Sequence, residues 1–140
     1  MCASKNNTVT LVEVSPRDGL QNETVIVSTK DKLTFIQLLI EAGLSMIEVT
    51  SFVSKHKIPQ LGDANLLASQ LPIATDVTYD ALVPNLYGFK QFSQHKLLNR
   101  LCVFSAPSDA FCLANIDCTT LEAQQRISSV IDCALTNNYP

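Results

Sequence analysis

The chain has 140 residues, a formal net charge of -3, and 46% hydrophobic residues. That length suffices for one domain with a sizeable core. The mildly acidic balance, with no basic run, argues against nucleic-acid binding, and the absence of a long apolar stretch argues against a spanning helix.

Residues 1–7 read as a short polar tail, with neither an apolar signal core nor an Arg-rich amphipathic stretch, so the expected compartment is the cytoplasm. Residues 8–140 read as one domain. Val9 to Val14 alternates in the manner of a strand. Ser28-Thr29-Lys30-Asp31 has the form of a capping box and opens a helix carrying Leu33, Ile36 and Ile40 at helical spacing, with Gly43 as its stop. Leu44 to Val49 is a second apolar strand. A second helix runs from an Asp63 cap to about Leu71, where Pro72 ends it. Thr78 to Val83 is a third strand, Asn85 to Gln94 a weaker helix, and Leu101 to Ser105 a fourth strand. A loop follows. Thr119-Thr120-Leu121-Glu122 then opens a last helix, whose apolar stripe is Ala123, Ile127, Val130, Ile131 and Ala134.

Strand and helix thus alternate four times, which predicts an α/β fold with parallel strands, right-handed crossovers and outer helices. Between the first strand and the first helix lies Ser15-Pro16-Arg17-Asp18-Gly19-Leu20-Gln21-Asn22-Glu23. Arg17 offers a planar fork of donors for a carbonyl or carboxylate oxygen. Asp18 offers hard oxygens to a divalent metal, and Gly19 allows a sharp turn beside them. In a bare triplet these residues merely turn the chain: Asp18 with Gly19 as a turn, Arg17 as a surface ion pair, Glu48 as its partner. The five cysteines show no paired spacing and read as reduced thiols. No Cys/His cluster supports zinc; His56 and His95 are isolated and read as surface residues. Met46 and the phenylalanines read as core.

The run Val9 to Glu23, with Ile47-Glu48-Val49-Thr50-Ser51-Phe52-Val53-Ser54, Pro59-Gln60, Leu82-Val83-Pro84-Asn85-Leu86, Gly88 and Val103-Phe104-Ser105-Ala106, resembles the hydroxymethylglutaryl-CoA lyase family. The resemblance is colinear over nearly the whole chain from Val9. It implies the first four strand-helix units of a (β/α)8 TIM barrel, a fold of about 250 residues. A half barrel leaves two strand edges and an apolar inner face open; a second copy covers them, or a missing C-terminal half does.

The implied activity is divalent-metal-dependent (Mg²⁺ or Mn²⁺) cleavage of 3-hydroxy-3-methylglutaryl-CoA to acetyl-CoA and acetoacetate, a step of leucine breakdown and ketone-body formation. By the same resemblance Asp18 is the metal ligand, Arg17 a catalytic and substrate-binding cation that stabilises the enolate, and Glu48 a catalytic acid near the metal. Gln21 and Ser51 are substrate contacts or structural hydrogen-bonders. Asn85 reads first as a helix cap. The expected partner is an acyl-CoA, with no nucleic acid and no membrane.

The family's H-x-H metal pair, later asparagine and glycine-loop cysteine have no counterpart in these residues, and Lys55-His56-Lys57 departs from the family's usual rim loop. Two other readings therefore stand beside the lyase: a non-catalytic, self-associating half barrel, and a condensing or cleaving enzyme of the wider family. Ser51-Phe52-Val53-Ser54 and Pro59-Gln60 speak against the last.

Overall fold

The computed structural model describes residues 9–139, so the polar tail expected at residues 1–7 lies outside the described residues. Three parallel strands, β1 (Met46–Ser51), β2 (Thr78–Leu82) and β3 (Leu98–Cys102), form a sheet in that order. The helices are α1 (Thr29–Glu41), α2 (Ala64–Ser69), α3 (Leu86–Phe92), α4 (Asp109–Ile116) and α5 (Thr120–Thr136). None of the described helices is long and apolar enough to cross a membrane.

Local chemistry sets most of these boundaries. The Ser28 side chain accepts the Asp31 amide at the start of α1, and Gly43, at φ +90, turns the chain after it. Thr119 and Glu122 close a complete, reciprocal capping box on α5. Asn85 caps α3 by accepting the Gly88 amide at 2.9 Å. Gly88 also packs against the chain after β1: a Cβ there would lie 3.1 Å from the Phe52 carbonyl oxygen.

Four expectations need correction. Val9 to Val14 is not a strand. Only Glu13 pairs, through a bridge to Ile47, with Glu13 donating to the Met46 carbonyl (2.9 Å) and accepting from Glu48 (2.8 Å). The apolar side chains of Val9 and Leu11 stand exposed, so no packed face extends the ladder. The last strand begins three residues earlier than Leu101, because Tyr79 and Leu98 pair across the sheet. The stretch after it is not all loop; Ser108 caps the short helix α4. Helix α2 ends at Ser69 and takes no side-chain cap from Asp63. That carboxylate is engaged instead by Lys32 Nζ (2.6 Å) and Thr29 Oγ1 (2.7 Å).

The core lies between the sheet and its helices. Ile47, Val49, Tyr79, Ala81 and Leu98 pack with Ile36, Leu67, Phe92, Val130 and Ala134. Phe52 and Phe92 meet edge to face with centroids 6.2 Å apart. Phe104 and Phe111, expected in the core, are exposed, and Met46 is only half-buried; the first two meet each other beyond β3, with ring centroids 6.1 Å apart. Cys112 and Cys118 are buried, and Cys102, Cys112, Cys118 and Cys133 are all free thiols.

The opposite face of the sheet departs further from expectation, since it is charged rather than apolar. Glu48 pairs in register with Asp80, and Asp80 with Arg100. The register shifts on both sides of this row. Val49 and Thr50 together oppose Ala81 on one side, and Asn99 is the extra residue on the other. Such bulges re-aim side chains and interrupt the period of two. At the second bulge the Asn99 side-chain oxygen accepts the Tyr79 amide at 3.0 Å.

Candidate functional site

Parallel strands joined by outer helices bring the loops after successive strands to one rim. The segment after the Glu13–Ile47 bridge forms a single π-type turn, Ser15–Gly19, entered through a buried Pro16. Its amides bond back to Val14: Arg17 N–H at 3.1 Å and Asp18 N–H at 2.7 Å. Pro16, the second residue of the turn, supplies a fixed φ and has no amide to leave unpaired. The turn thereby fixes Arg17 over the end of the sheet.

Arg17 is the centre of the arrangement. Its Nε donates to Glu48 Oε1 at 2.6 Å and its Nη1 to Asp18 Oδ1 at 2.6 Å. The Arg17 and Glu48 side chains are only 17% and 7% exposed, whereas Asp18 is 54% exposed. The pairing of Glu48 with Arg17 is therefore real. It orients the guanidinium without exhausting it, because the fork has five N–H donors. Gln21 lies three residues past Asp18 in the same helical run and is half-buried. Ser51 is fully buried and its hydroxyl donates to the Leu82 carbonyl at 3.3 Å.

Two members of this face had no place in the sequence reading. Asp80 is fully buried, and Arg100 grips it through Nε–Oδ1 at 2.8 Å and a second, shorter Nη2–Oδ2 contact. Burial pushes the Asp80 carboxyl above its usual range, against the opposing pull of Arg100. The hydrogen bonds to Asp80 raise Arg100 in turn, with smaller help from the charges of Cys102 and Glu48. The thiol of Cys102, next to Arg100 along β3, is pushed up to about 11, first by burial and then by the Glu48 and Asp80 charges. A signal existed in the sequence: each of Asp80 and Arg100 is a lone charge inside a short strand, and such charges are almost always partnered when buried.

His95 also departs from expectation. It is half-buried, stacks on Phe52 with centroids 6.0 Å apart, and contacts Asn65 Oδ1 at 2.9 Å. Burial lowers its pKa. His56 is exposed, as expected.

The HMGL-like family model matches residues 8–139. The chain belongs to the HMGL-like family. This HMGL-like chain is 44% identical over 135 residues to the rat protein named 3-hydroxy-3-methylglutaryl-CoA lyase, cytoplasmic, covering 94% of the chain and 38% of that protein. It is 42% identical over 130 residues to the human hydroxymethylglutaryl-CoA lyase, mitochondrial, covering 93% of the chain and 40% of that protein. The crystal structure of the Bacillus subtilis HMG-CoA lyase superposes with a TM-score of 0.88 at 42% identity, over 94% of this chain and 44% of that one. The HMGL-like chain thus spans about 40% of the length of its curated relatives. Its sheet and helices match the N-terminal part of the TIM-barrel lyase fold.

A divalent ion is implied by the resemblance, and the described residues test the fit. Asp18 is an exposed carboxylate with one oxygen engaged by Arg17. Among the described residues no three His, Cys, Asp or Glu side chains stand together as a possible metal group. A hard divalent ion takes about six or more oxygen ligands. The described part of the HMGL-like chain does not by itself build that site.

Proposed function

We propose that this chain is the N-terminal part of a hydroxymethylglutaryl-CoA lyase, which cleaves 3-hydroxy-3-methylglutaryl-CoA to acetyl-CoA and acetoacetate. The observation that supports this reading best is the locked Arg17 guanidinium, held by Glu48 and Asp18 at the rim within a chain 42–44% identical to proteins of that name.

In this reaction the tertiary hydroxyl loses its proton to a base, and its oxygen becomes the ketone oxygen of acetoacetate. The adjacent carbon-carbon bond breaks, and its electron pair passes into the enolate of acetyl-CoA, which is then protonated. Negative charge therefore develops on the thioester oxygen. Arg17 offers its unused N–H groups to that oxygen, and Glu48 and Asp18 hold it so that little reorganisation is needed when the charge appears. Glu48 is the acidic residue facing the reacting hydroxyl. Gln21 borders the acyl group, and Ser51 supports the rim from below. On this reading Asp18 supplies one ligand to Mg²⁺ or Mn²⁺, the remaining ligands come from the other half of a complete barrel, and that half closes the open edges of the sheet.

The test is acetoacetate formation from 3-hydroxy-3-methylglutaryl-CoA by this sequence joined to, or mixed with, a complementary barrel half from one of its lyase relatives. Arg17→Gln should lower kcat by about 10²- to 10³-fold with a much smaller change in KM, as expected for a lost transition-state donor. Failure of the assembled protein to form acetoacetate with either metal would sink the reading. Preferential cleavage of a homocitrate-type substrate would move the chain to the wider family.

A further inference from the structure

The rim turn grows out of a stretch with little hold on the rest of the molecule. Val9, Leu11, Val12 and Val14 are all exposed, and within residues 9–14 only Glu13 pairs with the sheet. Its amide donates to the Met46 carbonyl at 2.9 Å and its carbonyl accepts the Glu48 amide at 2.8 Å, so Glu13 sits astride Ile47. The angle at which the chain leaves this one fixed residue decides where Arg17 stands.

A third contact sets that angle. The first residue of a helical turn leaves its amide without an internal partner. Val14, at the N-cap, provides no side-chain cap, and Pro16 has no amide. The Ser15 amide donates instead to Glu13 Oε1 at 2.8 Å, on a half-buried side chain two residues back. Hydrogen bonds from the Ser15 side chain and amide hold the Glu13 carboxyl below its usual range, so the acceptor is ionised near neutral pH.

These contacts close a ring. Glu13 O meets the Glu48 amide, and Glu48 Oε1 meets Arg17 Nε at 2.6 Å. The Arg17 amide returns to Val14 O at 3.1 Å, and Val14 is bonded to Glu13. Every link is a hydrogen bond of ordinary length or a covalent bond. The Glu13–Ser15 contact braces the ring at the corner where the chain turns off the sheet.

We propose that Glu13 is a positioning residue for Arg17. Its backbone sets the register of the rim turn on β1. Its carboxylate, on the Ser15 amide, fixes the direction in which the turn departs, and so the place where the guanidinium meets Glu48. Glu13 touches no reacting atom in this scheme. The catalytic value of that placement rests on the lyase reading, whereas the geometric claim is read without turnover.

The test uses the 140-residue chain labelled with ¹⁵N. Only three arginines are present, Arg17, Arg100 and Arg126, so their Nε–H signals are assignable by substitution. Arg126 donates to the Ile116 carbonyl on the exposed surface and is one internal control. The amide of the fully buried Tyr79, bonded to Asn99 Oδ1, is the control for the sheet. In Glu13→Ala, exchange of the Arg17 Nε–H with solvent should accelerate about tenfold, while both controls keep their rates. Glu13→Gln keeps an acceptor oxygen at the same reach and should restore exchange to within about threefold of the parent. An Arg17 rate in Glu13→Ala within about twofold of the parent overturns the proposal, and so does a Tyr79 amide that accelerates in step with Arg17, which would mark general loosening. Glu13→Gln as fast as Glu13→Ala overturns it too. If Glu13→Ala does not fold, Glu13→Asp is read in its place. It keeps the charge, withdraws the carboxylate by one methylene, and should accelerate Arg17 exchange about threefold. No acceleration there overturns the proposal equally. The lyase reading is judged by acetoacetate formation, so failure of one does not imitate failure of the other.

Discussion

One face of the sheet buries Ile47, Val49, Tyr79 and Ala81 beneath helices, while the other buries Glu48 and Asp80 and half-buries Arg100. Both faces belong to the same strands and differ by one residue in phase. On the helical side, stability comes from apolar area removed from water and from close packing, with no direction required. On the charged side each group is tolerable only through a particular partner at a particular distance. The helical side tolerates conservative change; the charged side does not. Structural redundancy therefore resides on the helical side of the sheet, and directional chemistry on the charged side.

The largest effect should come from the helical side. Phe92 is fully buried and meets Phe52, Phe89 and Tyr139 at centroid distances of 6.2, 6.4 and 5.0 Å. Phe92→Ala should cost about 3–5 kcal/mol by transfer and cavity terms together, read as a lower denaturation midpoint with an unchanged slope. Arg100→Met probes the charged side and should cost about 3 kcal/mol, because it leaves Asp80 buried without its partner. Replacing both, as Asp80→Leu/Arg100→Met, should restore most of that loss. A double variant as unstable as the single would mean that the two faces obey the same rule after all.

A smaller effect tests a boundary rather than a face. Thr119→Ala removes the N-cap of α5 and should cost about 1 kcal/mol. The last is a matter of pH. The Cys102 thiol titrates near 11 in the folded chain, against an ordinary value of 9.0. Its folded pKa is raised, so above pH 9.0 the unfolded chain releases this proton first and the native state loses stability as pH rises toward 11. Denaturation midpoints of parent and Cys102→Ser measured between those limits should converge or cross as pH rises. Parallel curves would show that neither burial nor the carboxylates of the charged face hold the Cys102 thiol protonated.

The helical side was legible because its signals are local. The Ser28, Thr119 and Asn85 caps fall where their side chains accept a nearby amide, and the Gly43 stop falls where the backbone turns through a positive φ. The rim turn was legible through the run from Ser15 to Glu23, and the Arg17–Glu48 contact followed as one of the weighed alternatives. The charged row escaped notice for a physical reason. Its members come from three strands, and the bulges at Val49–Thr50 and Asn99 disturb the alternation by which a reader assigns faces. Val9 to Val14 misled in the opposite sense: alternation was present, but a strand also needs a packed neighbour, and only Glu13 has one. Asp63 looked like a cap because of its position, yet a buried ammonium two segments away claimed its carboxylate.

That ammonium has a wider consequence. Lys32 Nζ, almost wholly buried, donates to the Gln60 carbonyl at 2.5 Å as well as to Asp63, and the Gln60 amide reaches back to the Glu23 carbonyl at 2.8 Å. One charge on α1 thus fastens the stretch before α2, which in turn fastens the end of the rim turn. Opening of the rim is therefore coupled to the first turns of α1, and these segments should lose amide protection together in hydrogen exchange, ahead of the sheet. The shape of the mouth is then a cooperative property of a helix that lies outside it, and a substitution as remote as Lys32→Met would be felt first as a floppy entrance and only later as a melted protein.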